Sequence, residues 1–126
     1  MNVVDSSCWL EVFEDTPIGN SIIPIIVDEE SLIIPTVVLY EVFKKLSATK
    51  GIVYAESFAQ KMLDSIVVPL HAELSISAAN ISRKHKLAMA DSVIYATAQK
   101  YDAVLWTADS HFDGLPNVRY FDKTQR

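Results

Sequence analysis

The sequence predicts an α/β fold, a three-layer α/β/α sandwich with a mostly parallel central sheet of four to five strands. Short apolar runs alternate with segments of helical periodicity along the chain, and turn residues separate them. Hydrophobic residues make up 50% of the 126 residues and charged residues 21%, as in a globular protein with a sizeable core. We expect one domain over residues 1–126.

The first half of the chain predicts two strands and three helices. Trp9, Val12 and Phe13 have helical spacing, and Pro17 and Gly19 are expected to break that helix. Pro24 is expected near the first turn of the next helix, where proline is tolerated. In order, we predict a strand at Asn2–Asp5, a helix capped by Ser6 and Ser7, a helix at Asn20–Glu30, a strand at Ser31–Ile34 and a helix at Val37–Thr49 capped by Pro35–Thr36.

The second half repeats the alternation. Ala55, Phe58, Ala59 and Met62 form the apolar face of a helix. In order, we predict a helix at Tyr54–Ser65, a strand at Ile66–Leu70, a helix at Ala72–Lys86, a break at Leu87–Ala90, a helix at Asp91–Tyr101, a strand at Ala103–Thr107 and a strand at Val118–Phe121. Parallel strands joined by helices require right-handed crossovers.

Four acidic side chains stand beside apolar runs: Asp5, Glu41, Asp91 and Asp109. Ionised carboxylates are rarely buried unless they are paired or bind a cation. Asp5 and Asp109 follow predicted strands, and sites in open α/β sheets form at the carboxyl ends of strands. Glu41 and Asp91 can reach that edge from flanking helices. If the four acids converge, they form a divalent metal site, and crowding should raise the pKa of at least one acid when no metal is bound.

Each acid also has a simpler interpretation. Asp5 and Asp91 could cap helices, and Asp109 could form an Asx turn. Glu41 is harder to explain in this way, because it interrupts a strongly apolar helix. Four such coincidences at corresponding ends of successive elements are much less plausible than any one of them.

Charge and composition limit the partners and the compartment. The formal net charge of −5 argues against nucleic acid, but setting the four acids aside leaves −1. Lys44–Lys45 and Arg83–Lys86 could contact phosphate, or could be ordinary solvated helix faces.

Cys8 is the only cysteine, which favours a reducing compartment. We expect a cytoplasmic protein without a membrane span or a secretory signal.

The ordered acids carry a resemblance to PIN-domain ribonucleases. Val4–Ser7 resembles the first motif of that family, and Pro35–Val42 resembles the second, a Glu early in an apolar helix. Lys86–Ala98 and Leu105–Phe112 resemble the third and fourth motifs. The match covers nearly the whole chain in order and spacing. The size suits the small VapC-type toxins of toxin–antitoxin pairs.

The resemblance implies an endoribonuclease that depends on Mg²⁺ or Mn²⁺. Asp5, Glu41, Asp91 and Asp109 would bind the metal, with Ser7 and Thr107 in support, and Asp113 would be either a fifth, outer acid or a turn residue. Oxygen ligands suit Mg²⁺, and we expect one tightly bound ion and a second that substrate stabilises. RNA would be the substrate. A cognate antitoxin and a second subunit of a homodimer would bind a groove or face formed by segments 11–30 and 54–65.

Other functions fit the sequence less well. A receiver domain would need an acidic pair after the first strand and a late lysine, and an aspartate-nucleophile phosphatase would place a second Asp where Ser7 stands. Zinc is not expected, because His71, His85 and His111 lack paired ligand spacing. His111 lies near Asp109 and could touch substrate, but it is interpreted as a solvated loop residue. The remaining alternative is a non-catalytic PIN-like module that binds RNA or a partner protein.

Overall fold

The computed structural model describes residues 1–125, which form a five-stranded sheet in the order β3-β2-β1-β4-β5. The strands are β1 (Asn2–Val4), β2 (Leu32–Pro35), β3 (Ile66–Val68), β4 (Val104–Thr107) and β5 (Val118–Tyr120). The helices are α1 (Ser6–Phe13), α2 (Pro17–Ile26), α3 (Thr36–Lys50), α4 (Ile52–Met62), α5 (Ala72–His85) and α6 (Met89–Lys100). Short 3-10 helices occur at Glu29–Ser31, Ser110–Phe112 and Lys123–Gln125.

All strand pairs are parallel, which confirms the predicted fold class. The connections from β1 to β2 and from β2 to β3 step in one direction across the sheet, whereas the connection from β3 to β4 returns past β1. Right-handed crossovers therefore place α1–α4 on one face of the sheet and α5 and α6 on the other. The order reverses at β1, whose two neighbours are β2 and β4.

The core lies on both faces of the central strands. Every residue of β2 is buried, as expected for a strand covered by helices on both sides. Helix α6 is almost entirely buried from Ser92 to Ala98, and it contacts β1, β2 and β4. Among residues 1–125, no helix is both long and apolar enough to span a bilayer.

The second helix differs from the prediction at both ends. It starts at Pro17 rather than Asn20, because the Thr16 side chain accepts a hydrogen bond from the Gly19 N–H and caps it. It ends at Ile26 rather than Glu30. Pro24 is therefore the eighth residue of the helix, and its predicted place near the first turn is wrong. Pro24 is exposed, so water can bond the carbonyl that it leaves unpaired.

Other predicted helix starts and caps are also wrong. Asp5 is the N-cap position of α1, so Ser6 and Ser7 lie inside that helix, and no side chain caps α3 at Pro35. Helix α4 starts at Ile52, two residues early, because Gly51 with a φ of +89° separates it from α3. The remaining boundaries agree within about three residues, close to the one or two residues by which helix ends are usually uncertain.

Candidate metal centre

Asp5 and Asp109 follow β1 and β4, which are neighbours in the sheet. Val4 pairs with Trp106, and the Asp5 N–H donates to the Trp106 carbonyl over 2.9 Å. Both acids therefore lie at the carboxyl edge of the sheet, at the strand where the order reverses. Ligand sites of open α/β sheets form at this position.

Asp5 is a buried carboxylate held by two hydroxyl groups. Its relative exposure is 2%. Ser7 Oγ donates to Asp5 Oδ2 over 2.6 Å, and Thr107 Oγ1 donates to the same oxygen over 2.9 Å. Burial raises the pKa of Asp5 above its ordinary value, although the bonds from Ser7 and Thr107 act in the opposite direction.

The same two hydroxyls accept hydrogen bonds from the backbone that follows β4. The Ala108 N–H donates to Ser7 Oγ over 3.0 Å, and the Asp109 N–H donates to Thr107 Oγ1 over 2.9 Å. Each hydroxyl has one proton, and each gives it to Asp5. The 3.3 Å separation of the Ser7 and Thr107 oxygens is therefore a close contact without a shared proton. The network joins the ends of two neighbouring strands at one carboxylate.

Glu41 reaches the site from the second turn of α3. Ser6 Oγ donates to Glu41 Oε1 over 3.0 Å, which ties the side chain to the start of α1. Burial raises the pKa of Glu41, and the charges of Asp5 and Asp109 raise it further. Glu41 is therefore within electrostatic reach of Asp5 and Asp109.

Asp91 lies in the first turn of α6, where its side chain is 18% exposed. Burial is the largest cause that raises its pKa to about 6, followed by the charges of Asp109 and Asp5, with a smaller effect of Glu41. The structure thus brings all four sequence-predicted acids together, each within electrostatic reach of the others. Asp91 is also not the cap residue of its helix, because Ala88 holds that position.

The simpler interpretations hold only in part. Asp5 occupies a helix N-cap position, but its side chain makes no capping hydrogen bond there. Asp109 does form the turn that its sequence suggests, since its Oδ1 accepts the His111 N–H over 2.9 Å. A turn role for Asp109 is compatible with a place in the acidic site.

His111 lies at this site, although the sequence analysis preferred to interpret it as a solvated loop residue. Its side chain is 73% exposed, as expected, but Nδ1 lies 2.8 Å from Asp109 Oδ1 and 3.9 Å from Asp91 Oδ2. The feature of the sequence that could have indicated this contact is the position of His111 two residues after Asp109. A turn there brings the imidazole back to the carboxylate.

The donor set fits a hard divalent cation. One donor atom from each of Asp91, Asp109 and His111 lies within 4.8 Å of the other two. The carboxylates of Asp5 and Glu41 act electrostatically on Asp91 in the same group. Burial, and after it the charges of neighbouring acids, raise the pKa of Asp5, Glu41 and Asp91, so a cation placed among them would relieve the repulsion. Carboxylate oxygens are the ligands that Mg²⁺ and Mn²⁺ prefer.

Asp113 and Cys8 do not belong to the group formed by the four acids and His111. Asp113 is exposed and follows the 3-10 helix at Ser110–Phe112, and no hydrogen bond or ion pair found within residues 1–125 links its carboxylate to the four acids. Cys8 is fully buried and burial raises the pKa of its thiol, which suits the predicted packing role rather than nucleophilic chemistry.

Comparison with known proteins identifies the fold and the family. A family model described as PIN domain matches residues 3–117, most of the chain. No curated protein gives a significant match.

Similar solved structures cover nearly the whole chain. A toxin–antitoxin complex from Klebsiella pneumoniae has a TM-score of 0.79 at 16% identity, covering 94% of this chain and 96% of that chain. A VapC toxin of Mycobacterium tuberculosis, described as cleaving the sarcin–ricin loop, has a TM-score of 0.75 at 19% identity, with 94% and 99% covered. The FitAcB structure from Neisseria gonorrhoeae has a TM-score of 0.74 at 19% identity, with 97% of each chain covered. At these identities the likeness establishes the fold.

Proposed function

The chain belongs to the PIN domain family, and from that premise we propose that it is a metal-dependent endoribonuclease that cleaves RNA phosphodiester bonds with Mg²⁺ or Mn²⁺. One observation carries the proposal: four carboxylates from distant parts of the sequence lie within electrostatic reach of one another, and burial together with the neighbouring acids raises the pKa of Asp5, Glu41 and Asp91. Such crowding costs free energy unless a cation offsets it.

Asp5, Glu41, Asp91 and Asp109 would hold the cation, with His111 beside them. When bound, a divalent ion lowers the pKa of coordinated water and neutralises charge on the scissile phosphate. The protein's own contribution is to fix the carboxylates before substrate arrives. Ser7 and Thr107 hold Asp5, and Ser6 holds Glu41, so little reorganisation is needed at the moment of reaction.

The site is open on the side where RNA would enter. Asp109 is 30% exposed and His111 73% exposed, whereas Asp5 lies at the bottom. On this basis we propose different roles for the acids. Asp5 anchors the buried end of the site, and Asp91 and Asp109 present oxygens toward the substrate phosphate. Asp113 is exposed and follows the 3-10 helix at Ser110–Phe112. We propose it only as an outer residue that contacts the RNA fragment released by cleavage.

We also propose that the protein is the toxin of a type II toxin–antitoxin pair and binds a cognate antitoxin protein. The solved structures that share the fold include toxin–antitoxin complexes. The chain has a surface suited to such a partner, where a cavity of about 230 Å³ opens between the start of α1, the end of α2 and α4. It is lined by Trp9, Ile26, Val27, Glu29, Phe58, Lys61, Met62 and Ser65.

Trp9, which lines this cavity, is a buried residue of α1. The indole Nε1 of Trp9 is buried and has no hydrogen-bond partner within residues 1–125. The cavity lies between the two segments that the sequence analysis assigned to the antitoxin or a second subunit. A homodimer and a cytoplasmic location remain part of the proposal, as does a single domain over residues 1–126.

The test is a cleavage assay on a mixed RNA pool with Mg²⁺, with Mn²⁺ and with chelator. We expect cleavage in either metal, none in chelator, and none with Asp91→Asn. Asp64→Asn, a substitution at an exposed acid outside the site, should cleave like the wild type. Cleavage that survives both the chelator and Asp91→Asn would contradict the proposal. Absence of cleavage by the wild type in every condition would also contradict it and leave a non-catalytic binding module as the better account.

A further inference from the structure

A groove between α1 and α3 begins at the candidate metal centre and leads away from it. Its volume is about 380 Å³. It is lined by Ser6, Leu10, Tyr40, Glu41, Lys44, Lys45 and Ala48. Ser6 and Glu41 are also joined to each other in the metal centre, so the groove and the centre are one continuous surface.

Tyr40 presents an aromatic ring to solvent in this groove. Tyr40 is 62% exposed, whereas the core residue Tyr95 is 1% exposed. Tyr40 immediately precedes Glu41 in α3. The only cation–π contact to its ring within residues 1–125 is from Lys44, whose Nζ lies 5.8 Å from the ring centroid.

Lys44 and Lys45 place positive charge in the same groove. Both are exposed and lie three and four residues beyond Glu41, about one helical turn further along α3. They are notable in a chain with a formal net charge of −5. A chain of phosphates leaving the acidic centre would meet these ammonium groups first.

We propose that this groove binds single-stranded RNA beside the scissile bond, with one base stacked on Tyr40 and phosphates paired with Lys44 and Lys45. This inference rests on the proposed ribonuclease function. Base stacking on an aromatic ring is stronger than a solvent-exposed cation–π contact, so a base would displace the Lys44 ammonium from the ring. The freed ammonium is then available to a phosphate.

The surroundings of Tyr40 select an unpaired base. Its ring also borders a second groove, where Leu39, Phe43 and Ala59 supply an apolar wall. A base stacked on Tyr40 therefore has apolar contacts on one side and the lysines on the other. Bases inside a duplex are already stacked and cannot reach an isolated ring, so single-stranded RNA is the ligand that fits.

The experiment measures the binding of a fluorescein-labelled single-stranded RNA by anisotropy. All proteins carry Asp91→Asn and contain Mg²⁺, so that the RNA stays intact. We expect Tyr40→Ala to weaken binding about 5- to 100-fold, because one stacked base is lost. Tyr40→Phe, which keeps the ring, should stay within about twofold of the parent. Replacing both lysines with Ala should reduce the slope of log affinity against log salt by about 1.4.

The chain offers a matched control in a second lysine–tyrosine pair. Lys50 Nζ lies 5.6 Å from the ring of Tyr54, which is 45% exposed and lies well beyond Glu41 along the helix pair. Tyr54→Ala should leave RNA affinity unchanged. Duplex RNA of the same sequence should be insensitive to Tyr40→Ala. Circular dichroism and gel filtration check that each variant folds and keeps its oligomeric state.

The outcomes separate this inference from the function on which it rests. Metal-dependent cleavage by the wild type, together with unchanged RNA binding by Tyr40→Ala, would overturn the groove and leave the nuclease standing. Equal weakening by Tyr40→Ala and Tyr54→Ala, or equal weakening for duplex and single strand, would also overturn it. Tyr40-dependent binding without any metal-dependent cleavage would support the groove and contradict the nuclease. A wild-type chain that neither cleaves nor binds RNA would contradict both.

Discussion

Thr107 Oγ1 donates a hydrogen bond of 2.9 Å to Asp5 Oδ2, although the two residues are 102 positions apart in sequence. Thr107 is the last residue of β4, and Asp5 follows β1 directly. The bond therefore fixes the most buried carboxylate of the site to the neighbouring strand, and through the Asp109 N–H to a second acid.

Removing this hydroxyl should weaken metal binding without emptying space in the core. Thr107 is fully buried, and Thr107→Val keeps nearly the same shape while leaving Asp5 with one hydroxyl partner. We expect about 10- to 100-fold weaker Mn²⁺ binding by isothermal titration calorimetry, in line with other residues that orient metal ligands. Thr107→Ser keeps the hydroxyl and should bind nearly as the wild type does. Equal affinities for the Val variant and the wild type would contradict the role.

The metal-free protein should become less stable as pH rises from about 4 to about 6. Burial and the neighbouring acids raise the pKa of Asp91 from 3.8 to about 6, and they also raise the pKa values of Asp5 and Glu41. The folded state therefore holds more protons than the unfolded state in this range. A group with a raised pKa contributes full stability below its unfolded pKa, and that stability is lost as pH rises through the folded pKa.

Urea unfolding in chelator across this pH range measures the effect. Asp91→Asn should show a shallower fall in the free energy of unfolding, because one of the titrating groups is gone. Saturating Mg²⁺ should oppose the fall, since the metal binds the ionised acids. Identical pH profiles for Asp91→Asn and the wild type would show that Asp91 does not titrate as described.

Gly19 is required by the packing of α2 on the end of α1. A Cβ built at this position would overlap the Glu11 carbonyl oxygen and lie 2.8 Å from the Val12 Cα, both backbone atoms that cannot swing away. Alanine would otherwise favour the helix by about 0.5–1 kcal/mol. Overpacking typically costs about 1–3 kcal/mol, so the clash should win.

We therefore expect Gly19→Ala to lower the free energy of unfolding by about 1–2 kcal/mol, measured by urea denaturation. Asn20→Ala, at the next and exposed position of the same helix, provides the control and should be neutral or slightly stabilising. A Gly19→Ala protein more stable than the wild type would mean that α1 and α2 can separate without cost.

The proposed antitoxin surface is tested by adding charge where the apolar cavity opens. Val27 lines the cavity and is 67% exposed, so Val27→Glu should fold normally while placing a carboxylate against an apolar partner segment. We expect at least tenfold weaker binding to the protein encoded by the neighbouring gene, measured by calorimetry. Ile76→Glu on α5 is the matched control, because Ile76 is also 67% exposed but lies outside the cavity. Equal binding by both variants would place the antitoxin elsewhere.

The sequence predicted the sheet because strands buried on both sides are short apolar runs, such as Leu32–Pro35, bounded by turn residues. It also indicated that Asp5 and Asp109 would share one edge if their strands are neighbours, with Glu41 and Asp91 able to reach that edge from flanking helices. Local spacing could not show that Ser7 and Thr107 share one oxygen of Asp5, because that bond depends on strand order.

The features missed were those set by backbone geometry and by surface shape. Helix α2 starts at Pro17 because the Thr16 side chain accepts a hydrogen bond from the Gly19 N–H. Proline is tolerated at this first position, so it does not break the helix as predicted. The contact of His111 with Asp109 depends on the turn between them. The groove at Tyr40 requires two helices to be placed side by side, which periodicity alone does not specify.

The central claim is that the four acids bind one divalent cation, and Mn²⁺ binding followed by electron paramagnetic resonance tests it most directly. The wild type should bind Mn²⁺, and Asp5→Asn, Glu41→Gln, Asp91→Asn and Asp109→Asn should each weaken that binding at least tenfold. Asp64→Asn should bind Mn²⁺ like the wild type. Mn²⁺ binding that is absent from the wild type, or unchanged in the Asp5→Asn and Asp91→Asn proteins, would contradict the account.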